Sequence, residues 1–263
     1  MITVLGGSGF IGSHLVRHLR QLGIDHGAPA RDELLEGRAL GHIIYCIGLT
    51  GDFRERPSET MEAHVGHLVD VIRTASFESL LYLSSARVYL DGSSPAREED
   101  PLCFRPLDGD SLYGLSKAAG EALVMSLGPK GRIARPTNIY GEGQSDRFLA
   151  MLLDEARTNR TFAVRMAMDS ERDYVSVDDV AALLVKIALG GRHRIYNIAS
   201  GSLIRNAQVV EAICAASGCR ATFLPGAQPH IFPRIDNARI RNEFGFAPAD
   251  ILVDLPGLIG AMT

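Results

Sequence analysis

Tyr113 and Lys117 lie four residues apart in Tyr113-Gly-Leu-Ser-Lys117. On a helix this spacing puts the phenol and the ammonium on one face, one turn apart. A neighbouring cation favours the phenolate, and a tyrosine so placed can trade a proton with a hydroxyl or a ketone near neutral pH. The pattern alone describes many surface helices. It gains force from Ser85, which ends the run Ser79-Leu-Leu-Tyr-Leu-Ser-Ser85. In open α/β sheets ligands bind at the carboxyl ends of the strands, and a hydroxyl there can bond the oxygen that Tyr113 protonates. Ser85, Tyr113 and Lys117 are therefore the candidate catalytic residues.

A second constellation opens the chain. Ile2-Thr-Val-Leu5 is an apolar, β-branched run, followed at once by Gly6-Gly-Ser-Gly-Phe-Ile-Gly12 and by an amphipathic helix pattern from Ser13. Gly6 lets the chain turn sharply off the strand, Gly9 leaves room for a diphosphate to approach the backbone, and Gly12 lets the helix pack close against the strand. The diphosphate then rests on the free N–H groups and positive end of the helix. A glycine-rich hairpin would need a second strand after Gly9, where His14-Leu-Val-Arg-His-Leu19 reads as helix. Gly6, Gly9, Phe10, Ile11 and Gly12 are thus candidate cofactor contacts.

The elements that must carry these residues alternate. His42–Gly48 reads as a buried strand, Glu59 to Thr74 as a helix, Ser79–Ser85 as a strand, Leu112 to Ser126 as a helix and Gly131–Arg135 as a short strand. Continuous apolar strands alternating with helices predict a parallel sheet covered on both faces. The expected fold is α/β, a Rossmann doubly wound parallel sheet with a smaller substrate-binding lobe. Residues 1–140 plus 173–198 would form the dinucleotide-binding domain, and 141–172 plus 199–263 the lobe. One stretch is thin. Between the first helix and Ile43 only Ile24 to Gly41 is available, where a doubly wound fold fits two more strands and a helix. The second strand is expected within Ile24-Ala30, and the next is expected to be missing.

Bulk properties exclude several classes. The chain has 263 residues, 46% hydrophobic and 22% charged, and a net charge of −4 without a basic stripe, so nucleic acid is not expected as a partner. No stretch reaches the ~20 apolar residues of a membrane helix, and no signal peptide is read before the first strand, so a cytoplasmic location is expected. Cys46, Cys103, Cys214 and Cys219 show no metal-type spacing and read as reduced thiols; no metal site is expected. His14 and His18 read as surface or half-buried residues, Asp178 and Asp179 as an N-cap pair, and Met166 and Met168 as packing. Arg54 and Arg56 face either a substrate phosphate or solvent.

With these motifs in place the chain resembles the extended short-chain dehydrogenase/reductase family, the nucleotide-sugar epimerases, dehydratases and 4-ketoreductases. The resemblance rests on the glycine turn, Tyr82-Leu-Ser-Ser-Ala-Arg-Val-Tyr89, Tyr113-Gly-Leu-Ser-Lys117, Arg135-Pro-Thr-Asn-Ile-Tyr-Gly141, Arg172-Asp-Tyr-Val-Ser-Val-Asp-Asp-Val-Ala181 and Tyr196-Asn-Ile-Ala-Ser-Gly201. It implies Tyr113 as acid/base and Ser85 as partner of the substrate oxygen. It also implies Lys117 as a ligand of the nicotinamide ribose, Pro136 as a nicotinamide contact and Asn138 as a diphosphate contact. Arg172 matches an arginine that meets the nucleotide phosphates; the alternative is a solvated charge beside Asp173. Thr50, Arg87, Tyr89, Asn138 and Arg172 make up the candidate substrate contacts. A homodimer is implied, through helices near Glu59–Thr74 and Leu112–Ser126.

Departures from the family pattern shape the reading. Ala86 and Arg87 stand where 4,6-dehydratases carry an Asp-Glu pair, which disfavours elimination of water. Cys46-Ile-Gly-Leu-Thr50 replaces the usual small residues, with Gly48 preserving close approach to the cofactor. Arg31 stands where an acidic residue would hold the adenosine ribose, and a guanidinium suits a 2′-phosphate. NADP is therefore favoured over NAD, with Asp32 keeping NAD open. The expected activity is hydride transfer at a sugar carbon, C4, by an epimerase or a 4-ketoreductase; a non-catalytic NAD(P)-binding sensor or partner-binding protein is the alternative.

Overall fold

The computed structural model describes residues 1–31, 33–107, 109, 111–143 and 147–261. The chain begins with β1 (Ile2–Leu5), α1 (Phe10–Gln21), β2 (His26–Gly27) and β3 (His42–Tyr45). A bent helix follows, α2 (Pro57–Met61) and α3 (His67–Thr74) joined through a π-turn at Glu62–Gly66. Then come β4 (Ser79–Leu83), a 3-10 turn (Ala86–Tyr89), α4 (Ser111–Ser126), β5 (Gly131–Pro136) and β6 (Asn138–Tyr140). The remainder is α5 (Arg147–Thr158), β7 (Thr161–Val164), β8 (Glu171–Arg172), β9 (Tyr174–Ser176), α6 (Val177–Gly190), β10 (Ile195–Ile198), β11 (Ile204–Arg205), α7 (Asn206–Ser217), β12 (Arg220–Phe223), α8 (Ala238–Phe244) and α9 (Ile251–Ala261).

Six strands form the central sheet in the order β10-β5-β4-β3-β1-β2, every pairing parallel. Period-2 alternation divides their side chains between two helical layers. Ile2, Val4, Ile44, Leu81 and Leu83 face α1 and α6. Leu5, Ile43, Tyr45, Leu80, Tyr82 and Ile133 face α3 and α4. The chain leaves β1 towards β2 on one side and returns to β3 on the other, so strand order reverses between β1 and β3. Such a reversal opens a crevice at the carboxyl ends of the strands. β2 pairs only Ile2 with His26 and Thr3 with Gly27, and no strand lies outside it among the described residues.

A separate apolar cluster lies beyond the sheet. The parallel pair β7 and β12 packs with α5, α7 and α9 around Phe148, Leu152, Val164, Val209, Ile213 and Leu255. Between β12 and α9 the chain touches the sheet again, where Ile240, Phe244 and Phe246 join the layer of α1 and α6. Among the described residues no helix is long and apolar enough to cross a membrane.

Two expectations are corrected here. His14 is buried at 6% exposure, its Nδ1 against Asp178 Oδ1 at 3.2 Å and its Nε2 against the Glu142 carbonyl at 2.9 Å, so it ties α1 to α6. Helix α6 is capped by Ser176, whose Oγ accepts from the backbone N–H groups of Asp178 and Asp179. The two aspartates sit in the first turn, where negative charge meets the helix dipole.

Candidate active site

Tyr113 and Lys117 project from α4 to the carboxyl end of β4. Both are buried, at 4% exposure each. The Lys117 ammonium donates to the Leu83 carbonyl at 2.9 Å and lies 5.0 Å from the Tyr82 ring centre. Burial pushes Lys117 down to about 7, because low polarity disfavours the ammonium. Ser85 follows β4, half-buried, and its Oγ accepts from the Arg87 backbone N–H at 3.2 Å as the cap of the 3-10 turn. The Arg87 guanidinium lies 5.2 Å from the centre of the Tyr113 ring.

Gly48 opens this group to the crevice. It is exposed, and a Cβ there would lie 3.3 Å from both Lys117 Nζ and His64 Nε2. Any side chain at this position would cover the lysine. His64 escaped the sequence reading. It stands in the π-turn, a feature frequent at functional sites, and is fully buried. Its Nε2 accepts from the Leu49 backbone N–H at 3.2 Å, so Nδ1 carries the proton and donates to Ser116 Oγ at 2.7 Å. Ser116 Oγ donates in turn to the Tyr113 carbonyl at 2.9 Å. The imidazole stands edge-on to the Tyr113 ring at 5.3 Å, and burial pushes it down to about 2, keeping it neutral. Its signal in the sequence was a polar residue in the buried stripe Thr60, His64, Leu68, Val71.

Phe53 was also missed. It is 1% exposed and packs 5.5 Å from Tyr113, with the Arg54 guanidinium 4.6 Å and that of Arg87 5.4 Å from its ring centre. Arg56 pairs with Asp52 at 3.4 Å and Glu59 at 3.5 Å. Thr50 is exposed on the same loop.

The glycine turn fits a diphosphate on its own geometry. Gly6 has φ +87°, a conformation that favours glycine, and a Cβ at Gly12 would lie 2.1 Å from the Gly6 carbonyl oxygen. Gly12 therefore lets α1 pack against the turn itself. Gly9 is different: a Cβ there meets only Gly6 O, at 3.4 Å, and the residue is exposed. The start of α1 has no side-chain cap and no acidic residue in its first turn, leaving its positive end open to an anion beside Phe10, Ile11 and Gly12. Arg31 is exposed in the turn after β2, while Asp32 lies outside the described residues.

The remaining candidates divide. Pro136 is buried at the end of β5. Asn138 is half-buried, its Nδ2 donating to the Asp173 carbonyl at 2.8 Å. Arg172 stacks 4.7 Å over Phe148, and its Nε is buried without a hydrogen-bond partner. It does not pair with Asp173, whose carboxylate accepts from Thr137 Oγ1 at 2.8 Å, Ser200 N at 2.9 Å and Gly201 N at 2.7 Å. Tyr89 is not brought to the crevice. It is 1% exposed, donates to Asn197 Oδ1 at 2.8 Å and accepts from Arg135. Arg135 in turn clamps Glu121 through Nε to Oε1 at 2.9 Å and a second bond to Oε2 at 2.5 Å, while Ser84 Oγ donates to Oε1 at 2.5 Å. This buried network lies behind the site.

Comparison with known proteins shows the family and the fold. Residues 26–199 match the family model described as the NAD dependent epimerase/dehydratase family. The chain is 29% identical over 203 residues to a dTDP-glucose 4,6-dehydratase of Streptomyces griseus, covering 71% of this chain and 59% of that protein. It is 22% identical over 264 residues to a dTDP-4-dehydro-6-deoxy-D-allose reductase of Streptomyces bikiniensis, covering 82% and 81%. In fold it is similar to MoeE5 in complex with UDP-glucose and NAD, with a TM-score of 0.82 at 22% identity, covering 99% of this chain and 98% of that one. It is also similar to RMD from Pseudomonas aeruginosa complexed with NADPH, with a TM-score of 0.81 at 22% identity over 99% and 98% of the chains.

Proposed function

The chain belongs to the NAD-dependent epimerase/dehydratase family, and from that premise we propose that it moves a hydride at C4 of a nucleotide-linked sugar. The observation that carries this reading is the meeting of Tyr113, Lys117 and Ser85 at one strand end, with Lys117 bonded to Leu83 O beneath the open Gly48. The nicotinamide of NADP or NAD, when bound, supplies or accepts the hydride. The glycine turn would hold its diphosphate, and Lys117 and Pro136 its ribose and nicotinamide. Tyr113 gives a proton to the sugar oxygen, or takes one from it, as the carbon is reduced or oxidised. Ser85 bonds the same oxygen and fixes its approach. Ala86 and Arg87 leave the position of a dehydratase acid pair without a carboxylate, which weighs against elimination. Residues 141–172 plus 199–263 form the substrate lobe, with Asn138 and Arg172 towards the nucleotide.

The short β2 and the lack of a strand outside it among the described residues support a loosely held adenosine, hence a cofactor that exchanges. That favours a 4-ketoreductase over an epimerase, which must retain its cofactor. Nucleotide released on denaturation, read by absorbance, tests this. Protein that purifies empty, binds NADPH and reduces a 4-keto nucleotide sugar is the expected result; tightly held NAD would mark an epimerase. Binding of neither cofactor rejects the enzyme reading in favour of the non-catalytic class. The protein is further proposed to be cytoplasmic and to pair as a homodimer. Light scattering should give twice the 28.4 kDa chain mass, and a monomer at micromolar concentration rejects the pairing.

A further inference from the structure

Helix α7 ends at a glycine in the left-handed region. Gly218 has φ +73°, and its backbone N–H donates to the Cys214 carbonyl at 2.9 Å. In a helix ending of this kind the residue after the glycine folds back over the last turn, and the two side chains that meet there are commonly apolar. Here both are thiols. Cys219 Sγ lies 3.1 Å from Cys214 Sγ, in hydrogen-bond contact. Ser217 ties the turn to the helix: its Oγ accepts from the Cys219 backbone N–H at 3.4 Å and donates to the Ile213 carbonyl at 2.8 Å.

The pair has a protected and an open member. Cys219 is buried at 7% exposure, and Cys214 is half-buried. Both pack in the apolar cluster beyond the sheet. Arg220, directly after Cys219, begins β12, which runs parallel to β7 along Thr161 to Val164. Cys46, after β3, and Cys103, before α4, belong to other parts of the fold.

We propose that Cys214 and Cys219 are a reversible dithiol–disulfide modification site, whose oxidant is a small-molecule disulfide of the glutathione class and whose product staples the end of α7 to the start of β12. The site does not depend on the function proposed above.

The step balances. Cys214, the more open thiol, loses its proton and attacks one sulfur of the oxidant. The oxidant's S–S bond breaks, and one glutathione leaves as a thiolate and takes up that proton. Cys219 then attacks Cys214 Sγ in the mixed disulfide. The second glutathione leaves with the Cys219 proton as the Cys214–Cys219 bond forms. The protein gives up two electrons and two protons, and the oxidant gains them as two thiols. The fold favours the second attack, because the sulfurs need only close from 3.1 Å to the ~2 Å of a disulfide. Burial and the neighbouring Cys219 push the Cys214 thiol up to about 11. That slows the first attack, but it also steadies the product, since a thiol whose anion is disfavoured leaves poorly when the bridge is reduced.

A glutathione titration of the whole folded protein tests this. Cys214 and Cys219 share the tryptic peptide of residues 206–220, which holds no other cysteine. The protein is equilibrated across graded mixtures of reduced and oxidised glutathione, quenched with acid, alkylated, digested and weighed. The expected product is this peptide lighter by two hydrogens and closed to alkylation, with both thiols restored by dithiothreitol. The same titration on urea-unfolded protein isolates what the fold contributes. In [GSH]²/[GSSG] the folded midpoint should lie at least about tenfold further towards reduced glutathione than the unfolded one, a difference of about 30 mV, because the fold sets the sulfurs in contact. A folded midpoint within tenfold of the unfolded one overturns the proposal, since the pair would then owe its bridge to sequence spacing. A peptide that carries glutathione and no internal bridge overturns it too, as does loss of the folded circular dichroism when the bridge forms.

Discussion

On the side of the crevice that carries Tyr113 and Lys117, β3, β4 and β5 end in residues held from behind by buried groups: His64 against Leu49 and Ser116, and Arg135 against Glu121 and Tyr89. On the adenosine side, β2 contributes two paired residues, and the turn beyond it carries Arg31 in the open. The first region is dry and over-determined, the second short and solvent-facing. A hydride and a proton must be delivered within tenths of an ångström, whereas an adenosine need only be retained. Under the proposed function, the contrast teaches that this chain keeps the structure its chemistry would require and trims the structure that would serve cofactor affinity.

Tyr113→Phe should have the largest effect. It removes the proton donor without disturbing the packing around Phe53 and His64, so turnover should fall on the order of 10²–10⁴-fold while NADPH and nucleotide binding persist. Steady-state rates together with calorimetry check this, and near wild-type turnover would break the catalytic half of the comparison. Gly9→Val comes next. A Cβ at Gly9 has room in the protein itself, so the variant should fold, and calorimetry should find cofactor affinity lost to a side chain standing in the diphosphate site. Unchanged affinity would place the diphosphate elsewhere. Gly12→Ala makes the contrast, because its Cβ collides with the Gly6 carbonyl and should unsettle the turn as a whole.

Arg31→Ala probes the pared side. NADPH should weaken roughly ten- to a hundred-fold, the scale of a charge-assisted hydrogen bond, with NADH nearly untouched. Equal weakening of both, or a wild type that prefers NADH, removes the 2′-phosphate role of Arg31. The smallest effect is expected for Tyr89→Phe. It leaves Asn197 Oδ1 without its donor, which should lower unfolding free energy by about 1–3 kcal/mol and leave KM for a nucleotide sugar unchanged. A raised KM at full stability would return Tyr89 to the substrate surface.

Much of the candidate site was legible because its signals are local. The strand, glycine turn and helix of residues 2–21 follow one another in the chain, and the Tyr113/Lys117 spacing needs only helical periodicity. The shortness of 24–41 was readable as a length, and the structure has β2 inside the expected stretch and no strand outside it among the described residues. Ser176 as the cap of α6 was missed by a small shift along the chain, since Ser and Asp compete for the same role. His64 and Phe53 were missed for a different reason. Each sits near a π-turn or a loop whose meaning depends on a partner far along the chain: Ser116 is 52 residues from His64.

What the sequence by itself determined is therefore the set of elements and the chemistry each presents: apolar strands, an open helix N-terminus, a phenol one turn from an ammonium. Periodicity and turn stereochemistry act within a few residues and are visible in the order of the letters. What only the tertiary structure decided is which of those groups are dry and what stands next to them. Tyr89 meets Asn197 across 108 residues, His14 meets Asp178 across 164, and Ser84 meets Glu121 across 37. Burial and charge compensation are properties of such long-range meetings, because they depend on water excluded by the whole packed sheet rather than on any one segment. They move Tyr89 from the substrate surface into the core and set the Glu121–Arg135 pair behind the site.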